Sequence, residues 1–166
     1  MYASASQFLK RYSAEEIAQR ADASIPPMVY GELLTKAAAG DDLSAYSPEE
    51  QTAAGQALAR VDRALQDSEQ TINTYLGGRY QLPLTSAPEV LERIAGQLAR
   101  YFLYDDAATE QITTLYKDSI KFLESVATGK VQLGPTDSGA IAQPSAGAEM
   151  VSAGLVFARD NSRGFI

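Results

Sequence analysis

Ala54, Leu58, Val61, Leu65, Ser68, Ile72 and Tyr75 recur at alternating spacings of four and three residues. That spacing puts all of them on one stripe of a single long α-helix. Its start is marked by Ser47-Pro48-Glu49-Glu50, which offers an N-cap hydroxyl, a proline at the first helical position and a capping-box glutamate. Arg60, Asp62, Arg63, Asp67 and Glu69 fall on the other faces. A long helix with one apolar stripe must lay that stripe against other elements, because propensity alone does not hold it. Ser68 interrupts any heptad seam, so the stripe reads as the core of a bundle rather than a coiled coil between chains.

The remaining pattern is helical as well. Ser4 or Ser6 can cap a short helix carrying Phe8, Leu9 and Tyr12, and Ser13 with Glu16 makes a capping box for a second carrying Ile17. Pro26-Pro27 breaks the pattern, and Val29, Leu33 and Leu34 predict a further short helix before Gly40-Asp41-Asp42. Leu91, Ile94, Leu98 and Tyr101 or Phe102 stripe a helix from Pro88. Ile112, Leu115, Ser119, Phe122 and Val126 stripe a last one from Thr109, ended by Gly129. Strand signals are almost absent before Val131. The expected fold is all-α, a compact bundle of about five to six helices with a long central helix and an extended C-terminal tail.

Between the two longest patterns the chain reads Tyr75-Leu76-Gly77-Gly78-Arg79-Tyr80-Gln81-Leu82-Pro83-Leu84. Gly77 or Gly78 is expected in the left-handed conformation that caps a helix C-terminus. Pro83 makes the connector a non-helical corner. Ser86-Ala87-Pro88-Glu89 then supplies the cap, proline and glutamate that start the next helix. The corner fixes how the two helices meet.

Composition closes off most chemistry. The chain has no histidine and no cysteine, which excludes Ser-His and Cys-His nucleophiles, His-containing zinc sites and a disulfide framework. What is left is carboxylate chemistry, in the pairs Glu15-Glu16, Asp41-Asp42, Glu49-Glu50 and Asp105-Asp106. A general acid at neutral pH needs its pKa raised by about 2–3 units, which demands burial. Glu15-Glu16 and Glu49-Glu50 lie in first turns, where the helix dipole favours the ionised form, and read as capping residues. Asp41-Asp42 lacks the alternating ligands and closing glutamate of an EF-hand. Asp105-Asp106 reads as a helix-end element; a carboxylate-dependent metal enzyme centred on this pair, with Glu110, is the rival from the enzyme class. There is no phosphate loop and no dinucleotide fingerprint, so no cofactor is expected.

The net charge is −7, and residues 41–69 hold seven acids against Arg60 and Arg63. Nucleic-acid binders usually carry the opposite sign on one face. A surface this acidic should repel DNA, and tight, salt-sensitive DNA binding by the isolated protein would overturn that expectation. The first 30 residues lack an apolar run of signal-peptide length, and no segment approaches membrane-spanning length. The chain is therefore expected to be made in the cytoplasm and used without export. Pro135 to Gly154 is mostly Ala, Gly, Ser and Pro, too poor in large apolar groups to offset its ordering entropy. The expected organisation is a helical domain over 1–133 with an insertion at 23–47, a tether at 134–154, and a docking segment at 155–166.

With its flanks, the corner from Ile72 to Leu84 resembles the I-D-x-Y-L-x-x-R-Y-x-L-P-L element of the Mu-like prophage neck proteins, which are likened to head–tail connector adaptors. The resemblance runs on through Pro88, Leu91, Ile94-Ala95 and Leu98 to Tyr101, then Tyr116 to Glu124 and Gly129 to Val131, and ends at Phe157 to Phe165. Met1 to Ala3 with Phe8, Leu9, Arg11 and Tyr12 also fits. Asn73 stands where the family often has aspartate. The resemblance implies a structural virion protein of the bacterial host's phage, assembling with copies of itself as a ring between the portal protein and tail-completion proteins, with DNA only passing through. By analogy the expected contact residues are Arg79, Tyr80, Gln81, Leu82 and Arg100, with Leu155, Val156, Phe157, Arg159, Arg163, Phe165 and Ile166 at the C-terminal end. Arg79 can also serve the carbonyls ending its own helix, and Arg100 can also form an internal ion pair. A free-standing helical binding module is the third possibility.

Overall fold

A computed structural model describes residues 1–133. Six α-helices appear in chain order: α1 (Ala5–Arg11), α2 (Ala14–Ala21), α3 (Gly31–Ala39), α4 (Pro48–Leu76), α5 (Glu89–Tyr104) and α6 (Glu110–Ala127). A single 3-10 turn, Asp105–Ala107, links the last two. No strand occurs among the described residues, so the all-α expectation holds there. The tether and docking segment expected at 134–166 lie outside them.

Helix α4 is the spine, 29 residues long, or roughly 43 Å at 1.5 Å per residue. Its capping box is complete: Ser47 accepts from the Glu50 amide and Glu50 reaches back to the Ser47 amide at 2.9 Å. The buried stripe runs through Ala54, Ala57, Val61, Leu65, Ser68, Ile72 and Leu76, with Leu58 and Tyr75 half-buried on its flank. Buried Ser68 satisfies its hydroxyl locally by donating to the Leu65 carbonyl at 2.7 Å. Helix α5 packs along α4 and α6 closes the same core. Between α5 and α6, Tyr101 and Tyr116 stack with ring centroids 4.1 Å apart, and Phe102 meets Tyr116 edge-on.

Three local expectations are corrected. Helix α5 begins at Glu89, with Pro88 in the extended N-cap position and no side-chain cap. A cap at Ser86 would require Ala87 to be helical, and a residue before proline is pushed out of that region. Neither Gly77 nor Gly78 is left-handed: Gly77 has φ −59°, and the glycines with positive φ among the described residues are Gly40 and Gly129. The α4 terminus instead tightens, with the Arg79 and Tyr80 amides both donating to the Leu76 carbonyl at 2.9 Å. That tightening drives the Tyr80 ring into the core, where it is 3% exposed. Finally, the Ser13 cap is one-sided. Ser13 accepts from the Glu16 amide, but the Glu16 side chain is used elsewhere.

Part of the segment from 23 to 47 packs into the hydrophobic core of the described residues. Val29, Leu33 and Leu34 are buried, and α3 packs on α1, α2 and α4. Helices α2 and α3 meet so closely that a Cβ on Gly31 would stand 2.7 Å from the Glu15 amide nitrogen. The Gly31 amide donates to the Glu15 carboxylate at 2.7 Å. Glu15 therefore serves the start of α3 as well as the first turn of its own helix.

Candidate functional site

The charged side chains gather along α2 where it meets α4 and α5. Glu16 accepts from Arg100 through Nε at 2.9 Å and Nη2 at 2.6 Å, and from the Tyr104 hydroxyl at 2.5 Å. Burial pushes the Glu16 carboxyl up, but the hydrogen bonds from Tyr104 and Arg100 outweigh it and hold the group below its ordinary range. Burial also raises the Tyr104 hydroxyl, and the Glu16 charge adds to the effect. The Arg100 guanidinium lies 5.0 Å from the Tyr12 ring centroid. Arg100, expected as a contact residue, is thus committed to an internal ion pair.

Beside this cluster lies an open cleft of about 370 Å³. Arg20 from α2 and Arg60 and Arg63 from α4 line it, together with Phe102 and Leu103 from α5. Asp67 and Asp105 share the cleft, so three guanidiniums face two carboxylates. Arg20 is held over the Tyr104 ring at 4.6 Å, and Arg60 donates to the Ala21 carbonyl at 3.4 Å. None of the three arginines forms an ion pair with a described residue. In a chain of net charge −7, this is a local concentration of positive charge. Sequence reading placed Arg60 and Arg63 on outer faces of α4, and their spacing of three was the available signal. Arg20 joins them only through the packing of α2 on α4.

The Asp105-Asp106 pair stands at the edge of this cleft. Asp105 has φ 47° and ψ −125°, an uncommon conformation for a residue with a Cβ. Both aspartates are exposed. No group of three or more acidic, histidine or cysteine side chains among the described residues is placed to hold a metal ion.

A second open cleft, of about 440 Å³, lies toward the start of α4 between Glu49, Thr52, Gln56 and the loop after α2. That loop is organised by Asp22, whose carboxylate accepts from the amides of Ser24, Met28 and Val29 at 2.8, 2.7 and 2.8 Å. Burial works to raise the Asp22 pKa, but these hydrogen bonds, with one from the Ser24 side chain, win and bring it to about 2. At the loop's tip Ile25 is 97% exposed.

The corner residues divide. Tyr80 faces inward, and its hydroxyl accepts from the Leu133 amide at 3.1 Å. Leu82 is half-buried against the core and Gln81 is exposed. The Arg79 guanidinium lies against Gly129 just past the end of α6, filling the space a Cβ there would take. It places a cation at the C-terminus of α6 rather than of its own helix. Asn73, nearby, accepts from the Tyr2 hydroxyl at 2.6 Å. Leu155, Val156, Phe157, Arg159, Arg163, Phe165 and Ile166 lie outside the described residues. No helix of the described residues is long and apolar enough to cross a membrane.

Comparison with known proteins supplies the context for these surfaces. The family described as Bacteriophage Mu, Gp36 matches residues 2–152. The chain is 50% identical over 108 residues to the Mu-like prophage FluMu protein gp36 of Haemophilus influenzae, covering 65% of this chain and 77% of that protein. It is 40% identical over 76 residues to Gene product J of Escherichia phage Mu, covering 46% of this chain and 54% of that relative. With nearly the whole length matched, the chain belongs to the Bacteriophage Mu, Gp36 family.

Proposed function

We propose that this chain is a structural component of the virion neck, a head–tail connector that assembles as a ring between portal and tail. The observation that carries the proposal is membership of a family that includes a gene product of phage Mu and a Mu-like prophage protein. The physical character of the chain supports the same reading. Some of its charged groups hold helices together and others are displayed in open clefts, which suits work done by surfaces. A net charge of −7 suits a protein that borders a DNA path without gripping the duplex.

In this reading the outer corner at Gln81 and Leu82 and the residues from Leu155 to Ile166 supply contacts to portal and tail-completion proteins. Mass spectrometry of purified particles tests the assignment: the chain should be present in several copies per particle. Deleting its gene should leave filled heads and free tails that do not join. Absence of the chain from particles, or normal particle yield without it, overturns the proposal. Affinity capture from an induced lysate should retain a portal or tail-completion protein, and removing residues 155–166 should weaken that retention.

A further inference from the structure

The cleft at the start of α4 combines apolar walls with one carboxylate. Ile25, Met28, Pro48 and Ala53 line it, and Glu49 stands among them. Glu49 is exposed and has no ion pair among the described residues. The wall is held in place, because Asp22 binds the amides of Ser24, Met28 and Val29 and fixes the loop on which Ile25 is 97% exposed. The surroundings are acidic. From Gly40 to Gln56 the chain carries Asp41, Asp42, Glu49 and Glu50 and no lysine or arginine. An occupant that suits such a cleft is a short apolar run ending in a cation.

The chain itself contains that order. Residues 155–159 read Leu-Val-Phe-Ala-Arg. In an extended segment alternate side chains share a side, which groups Leu155, Phe157 and Arg159. The second cleft suits this segment less, since its cation would meet three arginines against two aspartates. Reach is sufficient. Leu133, the last described residue, is buried and donates its amide to the Tyr80 hydroxyl, just past the C-terminus of α4. Helix α4 runs roughly 36 Å from Leu76 back to Thr52. The stretch from Leu133 to Leu155 spans up to about 70 Å when fully extended.

We propose that residues 155–159 lie across this cleft of their own chain. Leu155 and Phe157 rest against Ile25 and Met28, and the Arg159 guanidinium meets the Glu49 carboxylate. Because both partners belong to one chain, effective concentration favours this docking over the same contact between chains. In the connector reading the same residues serve portal and tail contacts, so assembly there must first lift them from the cleft.

The chain has no cysteine, so an introduced pair reports the docking without background. Thr52 is exposed in the cleft, and Ala158 lies between Phe157 and Arg159. Under mild oxidation of the full chain, Thr52→Cys with Ala158→Cys should form a disulfide within one chain. The rate should be at least about tenfold above that of Gln70→Cys with Ala158→Cys. Gln70 is exposed on α4 and nearer Leu133, so connection through the chain alone favours the control pair. Adding Phe157→Asp should bring the rate down to the control value. Arg159→Glu should slow it as well, and Glu49→Arg on top of Arg159→Glu should restore it, with circular dichroism confirming that each variant folds. Equal rates for the two pairs, a disulfide formed only between chains, or indifference to Phe157→Asp overturns the proposal. None of these results bears on whether the chain is present in particle necks.

Discussion

At the scale of single residues, carboxylates here act as backbone organisers. Asp22 holds three amides of one loop, and its pKa falls from 3.8 to about 2. A depressed carboxylate adds stability that is complete above its unfolded value and lost as pH falls through its folded one. The Asp22 contribution should therefore disappear between about pH 4 and pH 2. The group is largely solvated, so screening limits the effect to about 1 kcal/mol, measurable as acid-limb denaturation that Asp22→Asn flattens. Asp105 makes a second residue-scale prediction. Its φ of 47° suits glycine better than aspartate, so Asp105→Gly should raise stability by about 1 kcal/mol in urea titration. The sequence showed both aspartates but not their tasks, because a carboxylate's role depends on which amides or cations the fold brings to it. Glu16 is the sharpest case. Its position three residues after Ser13 reads as a capping box, yet its side chain turns to Arg100 and Tyr104 from α5.

At the scale of elements, the long patterns were legible because burial and period coincide. The stripe of α4 is buried much as its spacing predicts, and Ser47 and Glu50 cap it as their identities require. The corner was legible as a corner but not in detail. Two adjacent glycines suggested a left-handed cap, whereas burial of Tyr80 favours a tightened right-handed end. Proline order decided the start of α5, since Ala87 precedes Pro88 and resists helical geometry. Gly31 was invisible as a constraint, because only the meeting of α2 and α3 makes its missing side chain matter. Gly31→Ala should destabilise the protein by about 1–3 kcal/mol, since the new methyl meets backbone rather than a movable side chain. Thermal unfolding followed by circular dichroism checks this, with exposed Ala39→Ser as the control that should change little.

At the scale of the whole molecule, the helices of residues 1–133 share one core, and the segment from 23 to 47 is part of it. Leu34 is fully buried there, so Leu34→Ala should cost about 2–5 kcal/mol and lower the midpoint of the entire unfolding transition. A variant that unfolds α3 alone, leaving the main transition in place, would contradict that unity. The candidate site was the least legible part, because the arginine cleft draws on α2, α4 and α5 and exists only once they pack. One consequence lies in the span from Ala21 to Gly31. Its far end is pinned by the bond from Gly31 to Glu15, and its middle is tied to Asp22. Cleavage by an endopeptidase acts on the locally opened chain, and this arch cannot open without breaking those bonds. Thermolysin, which favours residues such as Ile25, should therefore leave the arch uncut in the native protein and nick it once Asp22 is replaced by alanine.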